Sequence, residues 1–355
     1  MIMVLMFNRH RTRIVAAMSA LTLALGLASC SDSSDDSKGG SSGKLKVAAS
    51  FYPIQWLTQQ IGGDHVDVSS VTPAGTEPHE FEIGTKQIAE LNKTKALFYV
   101  KGFQPSLDDA VGSLSDVSAV DLTKNVNLVH HEGLLEHDHD HGDKDHGDKK
   151  DGEAKKDDGE KGHEDGKEHD HAEGHDHAEG HDHGDAADPH FWLDPARMKR
   201  AADAIAAELS KKDPGHADAY KKNNEALQKK LDGLDKSFQT GLATCERRSI
   251  VTTHTAFGYL ADRYKLSQVG LSGIDPESEP SPATLAKVKK YVQENGTTTI
   301  FTEELVSGKP AETLAKETKT VTAVLSPLES KPEKGDYEAA MTGNLTALKK
   351  ALACK

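Results

Sequence analysis

The stretch ADAYKKNNEALQKKLDGLDKSFQTGL, residues 217–242, divides the chain. It follows a breaker, DPG at 213–215, and reads as one uninterrupted helix spanning on the order of 40 Å. A helix of that length does not serve as a crossover within a small sheet, so it reads as a rigid strut between two lobes. Upstream, strands are expected at KLKVAAS (44–50), VDVSSVTP (66–73), KALFYVKG (95–102) and VSAVDLT (117–123). Between them fall a helix opened by Pro53 and closed by Gly62 and Gly63, and a second over 85–93. Pro195 starts a helix reaching about Lys212. Downstream the alternation resumes: strands at SIVTTH (249–254), LSQVGLSG (266–273), TTTIFTEE (297–304) and TVTAVLSP (320–327), with helices from Ala256, over 282–294, from Pro310 and over 337–352. Apolar strands separated by helices predict parallel sheets covered on both faces. The expected fold is therefore α/β: an N-terminal lobe over 44–215, a linking helix over 216–244 and a C-terminal lobe over 245–355.

The formal charge of the 355 residues is −14. That charge is local, because residues 136–188 hold 14 Asp, 7 Glu and 7 Lys, and the remainder is formally neutral. A basic surface for nucleic acid is not evident, and nucleic acid is not expected as a partner. The same stretch holds 11 of the 19 histidines, in repeats such as HDHAEG, and has no apolar residue larger than alanine. Nothing in it offsets the entropy of ordering, so it reads as a polar loop that chelates metal weakly at many places. At the N-terminus, Arg9, Arg11 and Arg13 precede an apolar run from Ile14 to Leu27, the pattern of a signal peptide over 1–29. The run ends in Leu27-Ala28-Ser29-Cys30, which looks like a bacterial lipobox with Cys30 as the lipid-attachment site. A Gly/Ser-rich tether over 30–43 follows. Cys245 and Cys354 are the remaining cysteines, and in an exported chain they are expected to form a disulfide.

Three histidines stand apart from the acidic run. His79 lies beyond the strand 66–73, His254 ends SIVTTH, and His190 sits in DPHFWLDP where structure-forming residues resume. Pro78 and Pro189 restrict the backbone just before two of them. In open α/β sheets, ligands gather beyond the carboxyl ends of strands.

The stretches SFYPI, PAGTEPHEFE, DPHFWLDP, TTHTAFGYL, IFTEE and GDYEAAMTGNLTALKKAL together resemble the solute-binding lipoproteins of ABC-type zinc and manganese uptake systems, the zinc-binding adhesin-like family. The resemblance covers residues 45–135 and 187–355. It implies one metal site in the cleft between lobes, with His79, His190 and His254 as ligands. The fourth position is a carboxylate late in the chain or water. Here it falls in LSPLES (325–330), where Ser326 departs from an Asp common in the family and Glu329 matches other members; Glu303 in FTEE is the alternative. Three imidazoles and one carboxylate suit zinc, whereas manganese prefers more oxygen ligands. The implied role is an exported zinc receptor, monomeric, lipid-anchored on the outer face of the bacterial cytoplasmic membrane, which delivers Zn2+ to an ABC transporter permease. Metal release is expected to involve loops near His190 and Glu329 more than wide hinge closure.

Two other classes compete. A secreted zinc hydrolase needs a general base beside the metal, but neither an HExxH motif nor a strand–turn–helix nucleophile elbow is present. A storage or adhesion protein built on the His-rich run predicts many equivalent weak sites and no single tight one. A manganese receptor of the same family is the nearest alternative.

Overall fold

The computed structural model describes residues 43–131 and 187–355. The signal peptide, Cys30, the tether up to residue 42, and the His-rich run up to residue 186 lie outside the described residues.

Two four-stranded sheets are present, each parallel throughout. The first contains β1 (Leu45–Ala49), β2 (Val66–Ser70), β3 (Ala96–Tyr99) and β4 (Ser118–Asp121), in the order β2-β1-β3-β4. The second contains β5 (Ser249–Thr252), β6 (Ser267–Gly270), β7 (Thr299–Thr302) and β8 (Val321–Val324), in the order β6-β5-β7-β8. The two orders are the same pattern. In each, the connections run one way from the first strand and then cross back, which puts a switch point between β1 and β3 and another between β5 and β7.

Ten α-helices connect and cover the sheets among the described residues. They are α1 (Tyr52–Gly62), α2 (Thr85–Leu91), α3 (Pro105–Val111), α4 (Thr123–Val126), α5 (Pro195–Lys212), α6 (Ala217–Gly241), α7 (Gly258–Tyr264), α8 (Pro282–Glu294), α9 (Lys309–Thr318) and α10 (Tyr337–Leu352). The Asp194 side chain caps α5 by accepting from Ala196 N at 2.8 Å, with Pro195 in its first turn. Helix α6 does not stand free as a strut. Its buried residues Tyr220, Leu227, Leu231, Leu234 and Phe238 recur at helical spacing, and the helix packs along α1, α5 and α10. Helices α3 and α4 were not foreseen from the sequence, although Pro105 at the start of α3 is a helix-opening signal.

The alternation of each strand explains how the layers join. Val47 and Ala49 of β1, Ala96 and Phe98 of β3, Ile250 of β5 and Phe301 of β7 all belong to one apolar cluster. That cluster also takes in Phe191–Leu193, the inner faces of α5 and α6, and Tyr337, Met341 and Leu348 of α10. The intervening residues face outward into two smaller clusters. Ala48, Leu97 and Tyr99 join Leu91 and Leu107 on the first sheet, and Val251 and Ile300 join Val288, Val292 and Leu314 on the second. One core therefore runs through both sheets, and a wide hinge between them would tear it. A disulfide joins Cys245, just past α6, to Cys354 at the chain end, 109 positions away.

Candidate metal centre

His254 follows β5 by two residues and is fully buried. Glu303 follows β7 directly, across the switch point. Its carboxylate accepts from the Thr253 hydroxyl and, at 3.2 Å, from the His254 backbone N–H. Glu303 Oε2 also stands 2.7 Å from His254 Nδ1, a close charge contact poorly aligned for a hydrogen bond. This turns the Nε2 edge of the ring away from the sheet. Glu303, the alternative fourth ligand, thus stands behind His254.

His190 is also backed by a carboxylate, here through a hydrogen bond to the ring as well as to the backbone. Asp188 Oδ1 accepts from the His190 backbone N–H at 2.8 Å and from His190 Nδ1 at 2.7 Å. Asp188 is fully buried, so the acidic run read from the sequence as ending at residue 188 includes a residue built into the folded body. The turn Phe191–Leu193 that follows is anchored by Tyr337, whose hydroxyl donates to Trp192 O at 2.5 Å.

His79 comes from the irregular stretch between β2 and α2. Its backbone N–H donates to Glu77 Oε1 at 3.0 Å, and its ring meets Phe103 edge-on with centroids 4.5 Å apart. Buried Gln104 steadies the preceding residue, since its Nε2 donates to Pro78 O at 3.1 Å and to Thr72 Oγ1 at 2.8 Å. Glu329 lies between β8 and α10. Trp192 Nε1 donates to Pro327 O at 2.7 Å, and Leu328 takes a left-handed backbone at φ 62°, an unusual conformation for a bulky residue. Across the cleft, Gly75 N–H donates to Ser330 Oγ at 2.7 Å.

Four donor atoms converge. His79 Nε2 and His190 Nε2 each lie 3.3 Å from Glu329 Oε1, and His254 Nε2 lies 3.6 Å from it. His190 Nε2 is 3.3 Å from His79 Nε2 and 3.4 Å from His254 Nε2. With zinc–ligand bonds of about 2.0–2.2 Å, the edges of a coordination tetrahedron measure about 3.3–3.6 Å. The five separations fall on or close to that length, and all four donors lie within 4.8 Å of one another. Among the described residues this is the one cluster of three or more such groups that a metal ion fits.

The electrostatics match a site made for a cation. Burial alone would raise the Glu329 carboxyl, but hydrogen bonds from His190, His254 and His79 outweigh it and hold it well below the usual range. Burial works against charge on His254, yet Glu303 and Glu329 push it up to about 10. Asp188, despite burial, is drawn down to about 2 by His190 and His131. The rear carboxylates Asp188 and Glu303 take the Nδ1 side of two rings, which leaves Nε2 to the ion and increases the basicity of the imidazole. Asp188 and its pairing with His190 escaped the sequence reading. The signal was there in the DPH triplet, where an acid two residues before a histidine can reach both its backbone N–H and its ring.

The comparisons agree with this architecture. A profile of the family described as zinc-uptake complex component A, periplasmic, matches residues 47–351. The chain is 38% identical over 315 residues to the zinc-binding protein AdcA of Streptococcus pyogenes serotype M3, covering 86% of this chain and 56% of that protein. It therefore spans little more than half the length of that relative. It is 36% identical over 351 residues to the high-affinity zinc uptake system protein ZnuA of Bacillus subtilis, covering 96% of this chain and 97% of that protein. Among solved structures, the Zn(II)-bound ZnuA-like domain of Streptococcus pneumoniae AdcA superposes with a TM-score of 0.65 at 30% identity, over 87% of this chain and 99% of that one. The fold, the length of the profile match and the full-length similarity to ZnuA lead to one statement: the chain belongs to the family of zinc-uptake complex component A, periplasmic.

Proposed function

We propose that this protein is an extracytoplasmic receptor that captures Zn2+ and delivers it to the permease of an ABC transporter. His79, His190, His254 and Glu329 are the ligands in this reading. The observation that carries it is a set of four donor atoms, three of them imidazole nitrogens, with five of their six separations between 3.3 and 3.6 Å, close to the edge of a zinc tetrahedron. The family assignment supports the transport role, and the names of the relatives support zinc over manganese. In the same reading, residues 1–29 are removed on export, Cys30 carries the lipid that holds the protein at the outer face of the cytoplasmic membrane, and 30–43 is the tether. The lobes 44–215 and 245–355 flank the helix 216–244, and the receptor acts as a monomer.

The test is titration of the metal-free protein with zinc in competition with a chelator. One tight site is expected, and the His79→Ala/His190→Ala/His254→Ala variant loses it. Deleting residues 136–186, which spares Asp188, is expected to lower total stoichiometry and leave the tight site. Tight one-to-one binding that survives the triple substitution refutes the ligand assignment.

A further inference from the structure

His131 is the last described residue before the His-rich run, and it is built into the protein. Its side chain is 11% exposed. Nδ1 lies 2.6 Å from Asp188 Oδ2, and Nε2 lies 2.9 Å from Asp262 Oδ2 on α7. Burial disfavours charge on this ring, yet Asp188 and Asp262 draw its pKa above the usual histidine value, which favours the imidazolium that donates through both nitrogens. The ring stands edge-on to Tyr259, with centroids 4.5 Å apart and planes at 89°. The Tyr259 hydroxyl donates to Asp188 O at 2.7 Å and accepts from Val129 N–H at 2.9 Å. Asp188 N–H in turn donates to Val129 O at 2.9 Å. Gly258 leaves the space for this arrangement, since a Cβ there would stand 2.4 Å from the His131 ring and 2.8 Å from Asp188 Oδ2.

Asp188 thus divides its carboxylate. One oxygen holds His190, and the other is held by His131. We propose that His131 is a positioning residue of the metal centre: clamped between Asp262 and Asp188, it fixes the carboxylate that orients His190. The clamp ties α7 of the second lobe to a ligand on the returning segment of the first, through Asp262, His131, Asp188 and His190 in turn. The inference rests on the reading of His190 as a ligand. It predicts that an acid on the surface of α7, outside the cleft, controls how long the ion stays.

The test uses the full chain loaded with one equivalent of zinc, with release into excess chelator followed by stopped flow. Co2+ serves as a second probe, because its intense visible bands report four-coordination. His131→Ala is expected to release zinc about tenfold faster and to weaken the cobalt bands, the low end of what loss of an outer-shell partner costs. His131→Gln, whose amide still donates to Asp188, recovers part of the loss. Gly258→Ala displaces the ring and matches His131→Ala. Asp262→Asn is the safeguard against misfolding, since its side chain is 68% exposed; it is expected to speed release, by less than His131→Ala does. A merely structural contact would lower the melting temperature of the metal-free variants and leave release and the cobalt spectrum unchanged. That result, with His190→Ala abolishing tight binding, overturns the proposal alone. If His190→Ala itself keeps tight zinc, the ligand reading falls and takes this inference with it.

Discussion

Beyond the carboxyl ends of β5 and β7 stand His254 and Glu303. In the first sheet, Phe51 stands two residues past β1, as His254 does past β5, and Phe103 of the loop after β3 meets it with ring centroids 4.6 Å apart. The strand order is identical, but one switch point is polar and carries a member of the four-donor cluster while the other is an apolar floor. The first lobe therefore brings its histidines from elsewhere, His79 from the stretch after an edge strand and His190 from the returning segment. An aromatic floor of this kind lowers the local dielectric and would strengthen the interaction of a cation with the donors above it. The second lobe anchors His254 to its sheet, and the first supplies walls. The positions of Asp188 and Glu303 extend the contrast, because each holds its histidine's backbone N–H and places a carboxylate oxygen 2.7 Å from the ring Nδ1, whereas Glu77 accepts from the backbone N–H groups of His79 and Glu80.

The sharpest way to break this comparison is ligand removal. If a structural zinc site gives about 10–16 kcal/mol across four ligands, each contributes about 2.5–4 kcal/mol, or on the order of a hundredfold to a thousandfold in affinity. His254→Ala and His190→Ala are expected to reach that loss, and His79→Ala less, by isothermal titration of zinc. Equal losses at all three would erase that contrast. Next in size, Asp188→Asn and Glu303→Gln are expected to weaken zinc about 10–100-fold with stoichiometry unchanged. Acid acts through the same rings. His254 is pushed up to about 10 without the ion, so it must lose a proton to bind. Affinity is expected to fall by about tenfold for each unit of pH lost below about 10, and competition titrations on the alkaline and neutral side check the slope. A smaller effect is expected from Phe103→Ala, which removes the floor beneath His79. It should cost about 3–5 kcal/mol of folding stability, while zinc affinity changes far less than for His254→Ala. The Cys245→Ala/Cys354→Ala variant comes last. Opening a closed loop this long is worth about 4–5 kcal/mol of stability, yet zinc affinity should stay at the wild-type value, because neither cysteine meets a ligand.

Much of this architecture was legible in residue patterns. The helix predicted over 195–212 spans Pro195–Lys212, and the one predicted over 337–352 spans Tyr337–Leu352. Pro195 at the start and the breaker DPG at the end fixed the first locally, and Asp336 caps the second by accepting from Ala339 N–H at 3.1 Å. Strand limits were drawn too wide, as TVTAVLSP shows: pairing with β7 covers Val321–Val324, and the rest bends into the cleft to carry Glu329. His254 was legible because its strand points straight at the site. His131, Gln104 and Trp192 were not, since their roles depend on partners between 26 and 135 positions away. Spacing along a chain carries no signal for contacts of that range. Glu303 drew notice as a carboxylate near the site, but which side of His254 it occupies is decided by the order of β5 and β7, and that is a property of the sheet.

The single apolar cluster running through both sheets has a consequence for the chain as a material object. Severed after α6, neither piece would own a closed interior: Ile250, Phe301 and α10 would lose the cover that Val47, Phe98 and α5 provide, and the reverse. Each fragment should therefore be sticky and insoluble alone, and the two should regain shape only when mixed, like halves of a nut around a shared kernel.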